Sequence, residues 1–296
     1  MTGDGVGAPA DGAVSWRSLW EDTSRVVGAR NVARWLCEAA CGADGDEFID
    51  ELEAFATERA VAHLDAMIAR HRRGEPLQYV LGRWSFRRLD LMVDRRVLIP
   101  RPETELLVEY AHELLAPRPR PWRIVDLGTG SGAIGLSCAA EWRHEGLEVW
   151  LTDASADALD VARANLAGIG RAAPNVRLVH GSWFEPLPDS ARGRLDLIVS
   201  NPPYIADDDP DVDVSVREWE PGSALFAGAD GLDDLRRIAA EALHWLAPGG
   251  AVVVEIGAHQ GPAVAELFRA AGAVDVTVRA DLSGRDRFVQ AKRAAT

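Results

Sequence analysis

Lysine is all but missing from this chain: of 32 basic residues among 296, only Lys292 is a lysine and the others are arginines. Acidic residues outnumber basic ones and the formal net charge is −14. A chain so acidic lacks the overall basic field that phosphate binding draws on, so no direct nucleic-acid partner is expected. Cysteine is scarce as well. Cys37, Cys41 and Cys138 form no CxxC pair, and three scattered thiols give neither a disulfide framework nor a metal-ligand spacing. Cys37 and Cys41, four apart in a helical stretch, suit core packing, and no metal is expected. Free thiols of this kind fit a reducing cytoplasm. No apolar run approaches the length of a membrane span, and no charged-then-apolar leader opens the chain, so no membrane partner is expected. Residues 1–13, rich in Gly, Ala and Asp, read as a disordered tail.

The remainder has an ordinary globular balance, with 47% hydrophobic and 26% charged residues. Residues 14–75 carry apolar positions at three- and four-residue spacing, which predicts helices over Trp16–Val27, Ala29–Ala40 and Asp46–Arg72. Gly28, Gly42 and Gly74 stand where such helices should stop. This small bundle has no cluster of catalytic residue types. Residues 76–100 alternate over short stretches and read as a β-hairpin linker. From 101 to 296 strands and helices alternate, with strands expected at Arg123–Leu127, Glu148–Thr152, Val176–His180, Leu195–Ser200, Ala251–Ile256, Val274–Val278 and Phe288–Ala291. The expected fold is α/β: a doubly wound, mostly parallel seven-stranded sheet covered on both faces. The last two strands lack a full helix between them, so one edge strand should run antiparallel.

Two stretches carry the chemistry. Strand Ile124–Leu127 runs into the glycine-rich turn Gly128-Thr129-Gly130-Ser131-Gly132. Glycines admit a ligand close to the backbone, and open N–H groups at the following helix start favour polar or anionic ligand groups. Gly128, Gly130 and Ala133 also satisfy the dinucleotide fingerprint, so this turn alone leaves a nicotinamide cofactor and S-adenosylmethionine both open. Asp126 favours the second, because a carboxylate at a strand tip repels a diphosphate and attracts an ammonium or sulfonium. Asp153 closes the next strand, where an acid can take ribose hydroxyls. An N-cap is the ordinary reading of either aspartate alone. Trp183, after the third strand, either stacks on an adenine or covers the core.

The second stretch is Asn201-Pro202-Pro203-Tyr204, at the end of the apolar run Leu195–Ser200. Two prolines make a stiff turn whose carbonyls stay free to accept. With the Asn201 side chain and the flat Tyr204 ring, the turn could hold a planar –NH2 group, the plain alternative being a Pro-rich loop. No His or Lys accompanies it, so no strong general base is expected.

At this point the chain resembles the release-factor glutamine methyltransferases (the PrmC/HemK family). The resemblance rests on Gly74-Glu75-Pro76-Leu77-Gln78-Tyr79, Leu98-Ile99-Pro100-Arg101-Pro102-Glu103-Thr104-Glu105, the turn beginning at Gly128, and Asn201-Pro202-Pro203-Tyr204. It continues through Glu220-Pro221, Ala224-Leu225-Phe226, Asp230-Gly231-Leu232, Pro248-Gly249-Gly250 and Glu255-Ile256-Gly257. Departures are the acidic tail, the acidic stretch Asp207–Asp213 and Trp219 before Glu220. The resemblance implies a class I S-adenosyl-L-methionine-dependent methyltransferase. Its cofactor would be held by Asp126, Leu127, Gly128, Thr129, Gly130, Asp153, Trp183 and Asn201. The implied substrate is the glutamine amide in the Gly-Gly-Gln loop of peptide chain release factors, bound by Asn201, Pro202, Pro203 and Tyr204. Asn201, Pro202 and Tyr204 would be catalytic, the helical region would dock the substrate protein, and the enzyme would be a monomer. The alternative is a methyltransferase of an exocyclic nucleobase amine, which uses the same turn but needs a basic track for phosphates.

Overall fold

The computed structural model describes residues 14–142 and 146–296, so the tail over residues 1–13 lies outside the described residues. The chain divides into two compact units, one ending at Gly82 and one beginning at Arg83. No described helix is long and apolar enough to cross a membrane.

The first unit holds helices α1 (Trp16–Val27), α2 (Arg30–Cys41), α3 (Asp46–Asp50), α4 (Glu58–Arg72) and α5 (Leu77–Leu81). Gly28 and Gly42 end α1 and α2 in the left-handed conformation. Trp16, Leu36, Cys37, Phe48, Leu64 and Met67 meet in its core. The helix expected over Asp46–Arg72 is broken. Residues 51–54 turn, with Ala54 N donating to Glu51 O, and Phe55 forms a β-bridge with Ser15, because the backbone here bonds to residues 14–17: Trp16 N donates to Ala54 O and Ala56 N to Val14 O. Thr57 then caps α4 by accepting from Ala60 N at 3.2 Å. Glu75 forms a two-pronged pair with Arg70 at 2.6 and 2.8 Å, and Arg70 also donates to the Tyr79 and Val80 carbonyls near the end of α5. Within residues 76–100, α5 therefore precedes the hairpin.

That hairpin, β1 (Arg83–Phe86) and β2 (Leu89–Met92), opens the second unit. After a short 3₁₀ turn over Pro102–Thr104 come α6 (Glu105–Leu115), β3 (Arg123–Leu127), α7 (Ala133–Glu141), β4 (Glu148–Asp153), α8 (Ala156–Gly168), β5 (Val176–His180) and β6 (Leu195–Ser200). The chain closes with α9 (Val214–Trp219), α10 (Asp233–Trp245), β7 (Leu246–Glu255), α11 (Gly261–Ala270), β8 (Val274–Ala280) and β9 (Asp286–Lys292). The sheet order is β5-β4-β3-β6-β7-β9-β8, and every pairing from β5 to β7 is parallel. Strand alternation splits the core into two layers. Ile124, Leu197, Val199 and Val253 face one side, while Val125, Ile198, Val252 and Val254 face the other.

The antiparallel strand is not at the edge, as expected, but one place inside it. β9 pairs antiparallel with both β7 and β8. Burial explains the exchange. Phe288, Val289 and Ala291 of β9 are fully buried, whereas β8 is largely exposed along its length. Burying a side chain such as Phe288 contributes roughly 1.5–3 kcal/mol, which favours the inner slot for the strand that carries it.

Candidate active site

Four neighbouring strands, β4, β3, β6 and β7, end in one line. Their tips carry Asp153, the turn at Gly128, Asn201 and Glu255, with Leu127 paired to both Thr152 and Ser200 and Ser200 paired to Val254. Open parallel sheets bind ligands beyond this edge, where the strand order reverses. Ser200 Oγ donates to Leu127 O at 2.7 Å, tying the two central tips together.

A cavity of about 390 Å³ lies over the β3 and β4 tips. Gly128, Thr129, Gly130, Asp153, Trp183, Asn201 and Pro203 line it, as the sequence led us to expect of most of them. Gly128 has φ +66°, and a Cβ there would stand 3.2 Å from Trp183 Cζ3, so the indole closes over the turn. Trp183 also packs on the core beside Phe184, the second of the two roles expected of it. A Cβ on Gly130 would meet nothing within 4 Å, so this part of the turn faces open space.

The turn's N–H groups are mostly spent within the protein, a departure from the open helix start expected. Thr129 N donates to Thr152 O, Gly132 N to Thr129 O, and Gly130 N to Asp153 Oδ2 at 2.9 Å. Asp153 Oδ1 accepts from Ser155 N, and burial raises the pKa of this carboxyl. Each of its oxygens keeps a second lone pair for a ligand hydroxyl.

Asp126 and Leu127 are a correction: both are fully buried and neither lines the cavity. Asp126 points beneath the turn, where Oδ2 accepts from Thr129 Oγ1 at 2.6 Å and Gly135 N at 2.9 Å. Gly135 makes the room, since a Cβ there would sit 3.0 Å from that oxygen. The aspartate braces the turn from behind; it does not meet the ligand's cationic groups.

A second cavity, of about 560 Å³, opens on the other side of Asn201 and is lined by Tyr204, Arg101, Asp209 and Arg287 among others. Asn201 lines both cavities; Pro202 is buried and lines neither. Among the described residues none donates to the Pro202 carbonyl or to Asn201 Oδ1. The turn is held rigidly. Ile205 N donates to Leu225 O and Ala227 N to Ile205 O. Gln260 Nε2 donates to Tyr204 O at 2.9 Å, and Gly231 passes so near that a Cβ would fall 2.4 Å from the same carbonyl.

Sequence reasoning gave no task to several residues that complete the site. Glu220, nearly buried, accepts from Ile99 N at 3.0 Å and Arg101 Nη2 at 2.6 Å, pinning the segment that passes both cavities. Thr104, which lines the first cavity, accepts from Asn201 Nδ2 at 3.4 Å, and Glu255, which lines neither cavity, lies behind it. All of these fell within motifs that carried the resemblance, which was the signal available.

A cofactor-sized cavity at the reversal point of a doubly wound, mostly parallel sheet fits a methyltransferase of the S-adenosylmethionine-dependent α/β class. Comparison with known proteins agrees. Residues 103–218 match the methyltransferase small domain and residues 23–82 the PrmC N-terminal domain. The release factor glutamine methyltransferase of Xylella fastidiosa is 45% identical over 236 residues, covering 80% of this chain and 82% of that protein. That of Geobacter sulfurreducens is 38% identical over 277 residues, covering 93% and 94%. In fold, the N-terminal domain of human METTL16 in complex with SAH aligns with a TM-score of 0.50 at 16% identity, over 82% of this chain and 86% of that one. The chain belongs to the release factor glutamine methyltransferase family.

Proposed function

We propose that this enzyme methylates the side-chain amide nitrogen of the glutamine in the Gly-Gly-Gln loop of peptide chain release factors. The observation that carries the reading is Asn201, which alone among the turn's residues lines both cavities, with cofactor space on one side and an approach for substrate on the other. The first cavity suits S-adenosylmethionine, being within the size range of small-molecule sites and floored by a glycine turn with open space above Gly130. When bound, that cofactor supplies an activated methyl on a sulfonium sulfur, which is left as a neutral thioether.

The chain's own task is positioning. An amide nitrogen is a poor nucleophile because its lone pair is delocalised into the carbonyl. Asn201 Oδ1 and the Pro202 carbonyl are acceptors that no described residue occupies, and together they would take the two N–H bonds of the substrate amide. Holding the nitrogen in line with the methyl supplies on the order of 7–11 kcal/mol in favourable cases. The same acceptors stabilise the positive charge that grows on nitrogen, which then sheds one proton to water. Tyr204 lines the second cavity, where it would flank the amide. Asp153 would take the ribose hydroxyls and Trp183 would cover the turn.

The reading implies a cytoplasmic monomer with no direct nucleic-acid or membrane partner. Labelled methyl transfer to a purified release factor, set against RNA and DNA, tests it. Label should enter the factor and be lost when its loop glutamine is replaced; label in nucleic acid instead would overturn it. Asn201→Ala should keep cofactor affinity while turnover falls by on the order of 10²–10³.

A further inference from the structure

Glu255 ends β7 beside Asn201 and is fully buried, yet it lines neither cavity. Its Oε2 accepts from Thr104 Oγ1 at 2.7 Å and its Oε1 from the Tyr204 hydroxyl at 3.3 Å. Thr104 owns a single hydroxyl hydrogen and spends it on this carboxylate. The lone pairs left on Thr104 Oγ1 then face Asn201 Nδ2, which donates to them at 3.4 Å. A chain of hydrogen bonds thus runs from the carboxylate to the amide that reaches the substrate.

Resting on the reaction proposed above, we propose that Glu255 is a positioning residue. Its carboxylate sets the direction of the Thr104 hydroxyl, which holds Asn201 with its NH2 inward and its Oδ1 toward the substrate amide. The opposite polarity is destructive. Were residue 255 to donate to Thr104, the hydroxyl would be released to donate to Asn201, and the asparagine amide would turn over. An NH2 would then face the substrate's own NH2, and an acceptor site would become a pair of opposed donors.

The groups facing Glu255 are Glu103 and Thr104 from the 3₁₀ turn, Tyr204 from the turn after β6 and Arg287 from β9. Burial raises its pKa to about 7, with Glu103 adding to the rise and Thr104, Arg287 and Tyr204 opposing it. Burial also raises the Tyr204 pKa, keeping that hydroxyl a donor. Turnover should therefore weaken as the pH falls through about 7 and the carboxyl takes up a proton. In this proposal the acid limb runs through Thr104, whose bond to the carboxylate is 2.7 Å, and not through Tyr204 at 3.3 Å.

The test uses the full chain with Glu255→Gln, Thr104→Val, the two combined, and Thr104→Ser. Each of the first two should lower kcat by on the order of 10², with cofactor affinity unchanged in Glu255→Gln, whose site lies outside both cavities. The combined variant should be no worse than the poorer single one, because both cut the same chain of bonds. Thr104→Ser, which keeps the hydroxyl, should restore kcat. In Thr104→Val the acid limb should vanish although Glu255 still titrates; a general base at Glu255 would keep it. Native kcat in either single variant, or losses that multiply in the pair, overturns the proposal.

A second readout needs no substrate. The Asn201 side-chain NH2 signals in ¹⁵N-labelled protein should shift and exchange faster in both single variants, and unchanged signals would refute the linkage. Failure of the native enzyme to methylate a release factor would strike the proposed reaction instead, leaving these spectra to judge Glu255.

Discussion

Asp126 is a carboxylate whose ionisation should be readable as stability. It is fully buried; Oδ2 accepts two hydrogen bonds, whereas Oδ1 has no partner among the described residues. Burial pushes its pKa up to about 7, the Thr129 and Gly135 bonds pull against the rise, and the Asp153 charge adds to it. In the unfolded chain the same carboxyl returns to about 4. The folded state therefore holds a proton that the unfolded state has released between those two values. The stabilisation tied to that proton is fully present below about pH 4 and is lost as the pH rises through about 7. Three units at 1.36 kcal/mol each make about 4 kcal/mol between the limits, of which about 2.5 kcal/mol falls between pH 5 and 8.

Asp126→Asn isolates this contribution. The amide oxygen can accept from Thr129 and Gly135, while its NH2 takes the place of the unpartnered oxygen at a cost of about 1–3 kcal/mol that does not vary with pH. Urea unfolding of the cofactor-free proteins at pH 5, 6, 7 and 8 supplies the comparison, followed on the transition that exposes Trp122 and Trp150. Glu255 titrates in the same window but is common to both proteins and cancels in the difference. Native minus variant stability should fall by about 2.5 kcal/mol from pH 5 to pH 8. A constant offset across that range would show that Asp126 ionises as an ordinary carboxylate and would refute the reasoning.

Gly128→Ala should weaken cofactor binding by at least about tenfold in calorimetry. It forces a side chain into φ +66° and sets a Cβ 3.2 Å from Trp183 Cζ3; unchanged affinity would mean that the turn does not cradle the ligand. Removing residues 1–73 should raise the KM for the release factor while leaving cofactor affinity as it was, and an unchanged KM would deny the helical region a docking role.

Much of the fold was open to reading because buried parallel strands are written as apolar runs. Ile124–Leu127 and Leu195–Ser200 both stop at residues that cannot continue a strand comfortably, Gly128 and Pro202. The break at residues 51–57 was hidden for the converse reason. Phe48, Leu52 and Phe55 keep a helical spacing, and only the backbone bonds of residues 52–56 to residues 14–17 reveal the break. Asp126 misled because an aspartate at a strand tip is spelled the same way whether it faces a cavity or a helix. The clue lay nine residues on, in Gly135, whose missing side chain makes the space that Asp126 occupies.

The wiring behind Asn201 was hidden for a deeper reason. Thr104 and Glu255 stand 151 residues apart in sequence, and Thr104 and Asn201 stand 97 apart. No local period or motif spacing links positions that distant. What joins them is strand order: β6 and β7 lie side by side, so residues 201 and 255 end adjacent strands, and the Pro102–Thr104 turn lies against both tips. The order of motifs along the chain runs Thr104, Gly128, Asp153, Asn201, Glu255, whereas the strand tips run Asp153, Gly128, Asn201, Glu255. A doubly wound sheet makes that exchange by starting in the middle and building outward in both directions. It puts the cofactor turn beside the acceptor turn, and it puts a buried carboxylate beside the asparagine whose orientation the reaction depends on. Residues that looked like separate marks of kinship, the threonine before α6 and the glutamate closing β7, are thereby parts of one hydrogen-bonded unit, and their substitutions should fail together.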